Sequence, residues 1–118
     1  MAYVDGFLLA VRKDRLDAYR EMATLGGAVW MEHGALSYVE ALADDVPYGE
    51  LTSFPRAVQA TDDEVVIFSF ITYRDRAHRD EVNAKVFADE RMKPPADGEM
   101  PFDGKRMIFG GFEAFVER

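Results

Sequence analysis

Residues 64–73, EVVIFSFITY, decide the fold. The run is rich in β-branched and aromatic residues. It follows a polar turn, Thr61-Asp62-Asp63, and so reads as a strand. Successive side chains on a strand point to opposite faces. One face carries Val65, Ile67, Ser69, Ile71 and Tyr73, the other Val66, Phe68, Phe70 and Thr72. Neither face is polar.

Two further strands divide the same way. Residues 2–11 place Tyr3, Asp5, Phe7, Leu9 and Val11 on one face and Val4, Gly6, Leu8 and Ala10 on the other. Residues from about 105 to 116 alternate Met107, Phe109, Gly111 and Glu113 with Ile108, Gly110, Phe112 and Ala114. A sheet with one solvated face should alternate apolar and polar residues. Helices cover one face, and a bare second face would be an apolar patch of the kind that monomers avoid. The expectation is a homodimer, sheet against sheet, about a two-fold axis.

Between the strands, Leu16, Tyr19, Met22/Ala23, Gly26, Val29/Trp30 and His33 recur at helical steps. Asp14 stands where an N-cap belongs, and Gly34 where a helix ends. Gly26-Gly27 costs about 1 kcal/mol per glycine relative to alanine. The pair predicts a close crossing over the sheet, or a kink. A strand over 35–43 follows. Residues 44–63 stay ambiguous: Ser53-Phe54-Pro55 opens a short helix through Gln59, or 56–60 form a short strand. Asp75 caps a second helix whose inward face is Val82, Val86 and Phe87. A loop over 91–101 carries Pro94-Pro95, and Asp103-Gly104 turns the chain into the last strand. Gly110-Gly111 within that strand points to a bulge or a close approach. The order β-α-β-β-α-β predicts an α+β, ferredoxin-like domain over 1–118 with a four-stranded antiparallel sheet.

The chain has 118 residues, 14 basic against 22 acidic, and a net charge of −8. That balance disfavours nucleic acid and anionic membrane surfaces as partners. There is no cysteine, so disulfides, thiolate nucleophiles and Cys-bound metals are excluded. The N-terminal apolar run is interrupted by Asp5 and Gly6 and does not read as a signal peptide. Cytoplasm is the expected location.

Three carboxylates sit inside apolar strands: Asp5, Glu40 and Glu113. Burial raises the pKa of a carboxyl group and suits it to acid–base work. All three could face the inter-subunit cavity, or lie at the rim paired with Lys105 or Arg106. His33, at a helix end, is a candidate base or ligand, or simply a favourable charge at a helix C-terminus. His78 reads as surface. Lys105 and Arg106 are candidates to clamp an anion, or they solvate a strand start. Trp30, Tyr38, Phe109 and Tyr73 are candidate pocket walls or plain core. No nucleotide, nucleophile-elbow or paired-histidine motif is present, so no cofactor or metal is expected. A His33–Glu40 pair is the one metal-like combination.

The stretches YVDGF (3–7), DVP (45–47), DERMK (89–93) and MPFDGKRMIFGGFE (100–113) closely resemble the YbaA-like bacterial proteins. The resemblance covers essentially the whole chain. It implies a small ferredoxin-like protein that dimerises into an α/β barrel, within a family classed as a domain of unknown function. No catalytic residue carries over. Two classes of function therefore stay open. One is a small-molecule site in the dimeric barrel, in a binding protein or a cofactor-free enzyme, with Asp5, His33, Glu40, Arg106 and Glu113 as its polar set. The other is a non-catalytic interaction or stress-related protein with a solid barrel core.

Overall fold

The computed structural model describes residues 1–96 and 98–118. Residue 97, within the expected 91–101 loop, lies outside the described residues. The elements are β1 (Tyr3–Arg12), α1 (Leu16–Glu32), β2 (Ser37–Leu42), α2 (Phe54–Ala57), β3 (Glu64–Tyr73), α3 (Arg76–Phe87) and β4 (Ile108–Glu113). The four strands form one open sheet in the order β2-β3-β1-β4. Every neighbouring pair is antiparallel. The fold is α+β. No helix among the described residues is long and apolar enough to cross a membrane.

α1 runs unbroken for 17 residues, and Gly26-Gly27 marks a close crossing over the sheet. A Cβ on Gly26 would lie 3.0 Å from the Tyr38 hydroxyl, and one on Gly27 would lie 3.0 Å from the Tyr38 ring. The two glycines let the helix sit down over a tyrosine of β2. Asp14 does not cap the helix. It lies in a tight turn over Lys13–Arg15 and pairs instead with Arg12 at 2.9 Å. Gly34 ends the helix at φ +112°, where a side chain would be strained.

β4 starts later than expected. Gly104–Arg106 form a tight turn, and the Asp103 carboxylate accepts the Lys105 N–H at 3.0 Å, so pairing with β1 begins at Ile108. Within the uncertain stretch 44–63 the helix forms rather than the strand, but over Phe54–Ala57 and not through Gln59: Ser53 Oγ accepts the Arg56 N–H at 3.1 Å and caps α2. Asp75 caps α3 as expected, through the His78 N–H at 2.8 Å.

α1 and α3 lie on one face of the sheet. Tyr3, Val29, Ile71, Tyr73, Val82 and Val86 form one core cluster there; Leu9, Val11, Tyr19, Ala23 and Ile67 form a second. Phe87 departs from the expected inward face. It is exposed and meets Trp30 edge-on, with ring centroids 6.2 Å apart. His78 departs the other way. It is buried, its Nδ1 accepts the Arg74 N–H at 3.0 Å, and its ring meets Tyr73 edge-on.

Among the described residues the opposite sheet face is covered at one end, where Val58, just after α2, packs on Ala10 and Val66 and Phe54 of α2 meets Phe68 edge-on. Val39, Phe68, Ile108 and Phe112 remain exposed. The register places these four side by side with Leu8 and Phe70, and no charged residue stands among them.

Gly111 sits beneath a crowded neighbour. A Cβ there would overlap the Tyr3 hydroxyl and lie 2.7 Å from its ring. Gly111→Ala is therefore expected to cost about 2 kcal/mol through overpacking. Denaturant unfolding will measure this. The loss should shrink when Tyr3→Leu is added, because the clashing ring is then gone.

Candidate functional site

The small residues Ala23 and Gly26 bring α1 close to the sheet without filling the space beside it. A cavity of about 410 Å³ remains between them. Its floor is Phe7, Leu9, Ile71, Ser69, Tyr38 and Glu40, and its roof is Tyr19, Met22 and Trp30. Met92, Pro94, Met100, Phe102 and Met107, from the chain leading into β4, close one side. A second cavity, also of about 410 Å³, lies on the other flank of α1. The two share Tyr19, Ala23, Tyr38 and Glu40.

Glu40 is the polar centre of both cavities. Tyr38 and Glu40 are two apart on β2 and so share a face, while Tyr19 reaches them from α1. The Tyr19 hydroxyl donates to Glu40 Oε1 at 2.6 Å, and the Tyr38 hydroxyl donates to Oε2 at 2.8 Å. Burial raises the pKa of both phenols, and the Glu40 carboxylate raises them further. Both tyrosines therefore remain protonated donors at neutral pH. A carboxylate has about four lone-pair sites, so two donors leave Glu40 able to accept again. Chemically the trio is an acceptor or general base flanked by two hydroxyl donors, in a mostly apolar chamber.

The other candidates lie elsewhere. Asp5, Glu40 and Glu113 all project on the helix side of the sheet, not on the open face. Asp5 is 6% exposed, and its partner is Arg79, with Nη1 2.7 Å from Oδ1, rather than Lys105 or Arg106. The Arg79 guanidinium also lies over the Tyr3 ring, 4.8 Å from its centroid. His33 is held by Asp89, with Nε2 2.8 Å from Oδ2, so no His33–Glu40 pair forms. Arg91 completes that group, bonding Asp89 and, at 2.7 Å, Glu32. Its hydrogen bonds, then that of His33, hold the Asp89 carboxyl well below the usual range. Glu113 is exposed at the end of β4.

Arg106 is not free to clamp a ligand. Its guanidinium meets both oxygens of Glu64, at 2.8 and 2.7 Å, as well as Asp103 and the carbonyl of Gln59. Gln59 takes a left-handed φ of +53°, which aims that carbonyl at the arginine. Of the candidate aromatics, Trp30 and Tyr38 line the cavity. Tyr73 is fully buried core, and Phe109 is exposed, stacked on Phe7 with centroids 6.5 Å apart.

The Glu64–Arg106 clasp sets an acid limit on stability. Arg106, then burial opposing it, leaves the Glu64 carboxyl at about 2 against an ordinary 4.5. A depressed folded-state pKa contributes stability above the unfolded value, and that stability is lost as pH falls through the folded one. Arg106 is about a quarter exposed, and discounting for screening leaves about 2 kcal/mol. Between pH 5 and pH 2, Arg106→Gln should lose less stability than the wild type, by about that amount. Thermal unfolding across this range checks it; equal slopes would remove the clasp from the account.

The geometry defines an α+β protein with a four-stranded antiparallel sheet and a tyrosine–carboxylate cluster between two cavities. Residues 2–104 match the family described as "Protein of unknown function (DUF1428)". The chain is 50% identical over 117 residues, 99% of each chain, to "Uncharacterized protein YbaA" of Escherichia coli strain K12. The same identity and coverage hold for the proteins of that name from Escherichia coli O157:H7 and Shigella flexneri. The chain belongs to this family of unknown function.

Proposed function

We propose that the protein binds a small organic molecule in the cavity between α1 and the sheet. The observation that carries this reading is the chamber itself. At about 410 Å³ it falls within the range of ligand pockets, roughly 300–1,000 Å³, and pairs apolar walls with a few convergent polar groups. Of the five polar candidates in the sequence, Glu40 is the one that lines it; Tyr19, Tyr38 and Ser69 add polar groups inside, and Arg91 and Lys93 stand at its rim. An interior of solid core, as an interaction protein would have, fits less well with a space of this size.

We also propose that the protein works as a homodimer joined through the open sheet face. Read from the other edge, the strand order is β4-β1-β3-β2 with both long helices on one side. That supports a ferredoxin-like, dimeric α/β-barrel arrangement. With a net charge of −8, two copies repel except across a charge-free face, and the open face has a charge-free middle.

Trp30 is the sole tryptophan of the chain, lines the cavity, and donates its indole N–H to Asn83 Oδ1 at 3.2 Å. A library of small aromatic fragments, followed by ¹H–¹⁵N NMR, tests the reading. Bound fragments should shift the single indole resonance, and Ala23→Trp, which fills the cavity, should abolish their binding. Fragments that bind only to other surfaces, or none that bind, would overturn it.

A further inference from the structure

Resting on the cavity reading, we infer that the ligand is an organic cation: an apolar amine whose protonated nitrogen sits against Glu40. The inference comes from comparing the enclosed carboxylates. Asp5 has Arg79, Glu64 has Arg106, and Asp89 has Arg91 and His33. Glu40 has only two neutral phenols. Among the described residues no basic side chain forms an ion pair with it. Glu40 is only partly buried, yet carboxylates drawn out of water are ordinarily paired, as the other three are. Here the unpaired charge faces the two cavities, and the missing cation is one the ligand would bring.

The walls match such a ligand. Phe7, Tyr19, Trp30, Tyr38 and Phe102 surround the chamber, and the faces of aromatic rings attract cations. The basic residues at the rim do not oppose this. Arg91 is engaged by Asp89 and Glu32, and Lys93 by Glu90 at 3.1 Å. Arg20 lines the exposed side of the second cavity and makes no ion pair with Glu40. The net charge of −8 favours the approach of a cation over an anion.

The test compares three probes of one shape: 4-phenylbutylammonium, 4-phenylbutanol and 4-phenylbutyrate. Each is titrated by calorimetry, with the Trp30 indole resonance as the site report. The ammonium is expected to bind at least tenfold tighter than the alcohol, and the butyrate weakest. Glu40→Gln should remove the preference, so that on this variant the ammonium binds no tighter than the alcohol. A thermal unfolding curve establishes that this variant is folded, and the probe series on the unaltered protein stands without it. If all three probes bind at Trp30 with equal affinity, the cavity reading survives and the cation inference is overturned. If the butyrate binds best, the inference is overturned with its sign reversed. If none perturbs Trp30, the cavity reading itself fails.

Discussion

Arg79→Met is expected to lower the unfolding free energy by about 3–5 kcal/mol at neutral pH, the cost of leaving a buried charge without its partner. Asp5 is the third residue of β1 with its side chain only 8% exposed, and Arg79 covers it from α3 with a side chain 18% exposed. Its charge is felt by the surrounding core: after burial, Asp5 is the next influence raising the pKa of the buried Tyr73 phenol. Methionine keeps the unbranched stem and the helix propensity of the arginine, so what is chiefly lost is the guanidinium. Asp5→Asn should cost less, about 2 kcal/mol, because Arg79 keeps Asp80 at 2.8 Å and the Tyr3 ring. The double variant, Asp5→Asn with Arg79→Met, should recover much of the loss, since neither charge remains. Urea unfolding of the four proteins at one concentration measures the cycle. An Arg79→Met loss under about 1 kcal/mol would mean that water reaches Asp5 unaided, and the pair would carry no weight in the fold.

Asp5 and Glu40 also mark how far the sequence could be read. A carboxylate within an apolar strand is visible in a single chain, and both were singled out for that reason. Their partners are not visible. Arg79 lies 74 residues from Asp5, and Tyr19 lies 21 from Glu40, so each pairing exists only once helix and sheet have met. Tyr19 sat at a helical core spacing and read as packing; it is packing and a hydrogen-bond donor together. The one local signal was Tyr38-x-Glu40, two polar groups sharing one strand face. Strand β3 was legible to the residue because strong β propensity fills it and a polar turn precedes it. Helix caps were less legible: Asp75 caps α3, but Asp14 was taken by Arg12. His78 and Phe87 exchanged their expected places. The histidine is drawn inward by a backbone donor and an aromatic edge, whereas the phenylalanine stops at the rim against Trp30.

Phe68→Asp with Phe112→Asp is expected to convert a dimer into a monomer. Both side chains stand on the open face, 45% and 65% exposed in the single chain, and Ile108 and Val39 beside them are exposed as well. In a sheet-to-sheet dimer these rings would be buried against their counterparts. Two aspartates per subunit would then place four unpaired carboxylates in one apolar interface. Each desolvated charge costs several kcal/mol; even about 4 kcal/mol in total weakens association roughly a thousandfold. Static light scattering at low micromolar concentration should give twice the 13.3 kDa chain mass for the unaltered protein and a single chain mass for the variant. Phe68 also meets Phe54 and Phe70 edge-on within its own chain, so the exchanges should cost a monomer about 1–3 kcal/mol of stability, and the chain mass, not the stability, is the deciding readout. A 13.3 kDa species alone in the unaltered protein would sink the dimer. The ligand cavity would be untouched by that result, because it opens on the helix side of the sheet and the interface would lie on the other.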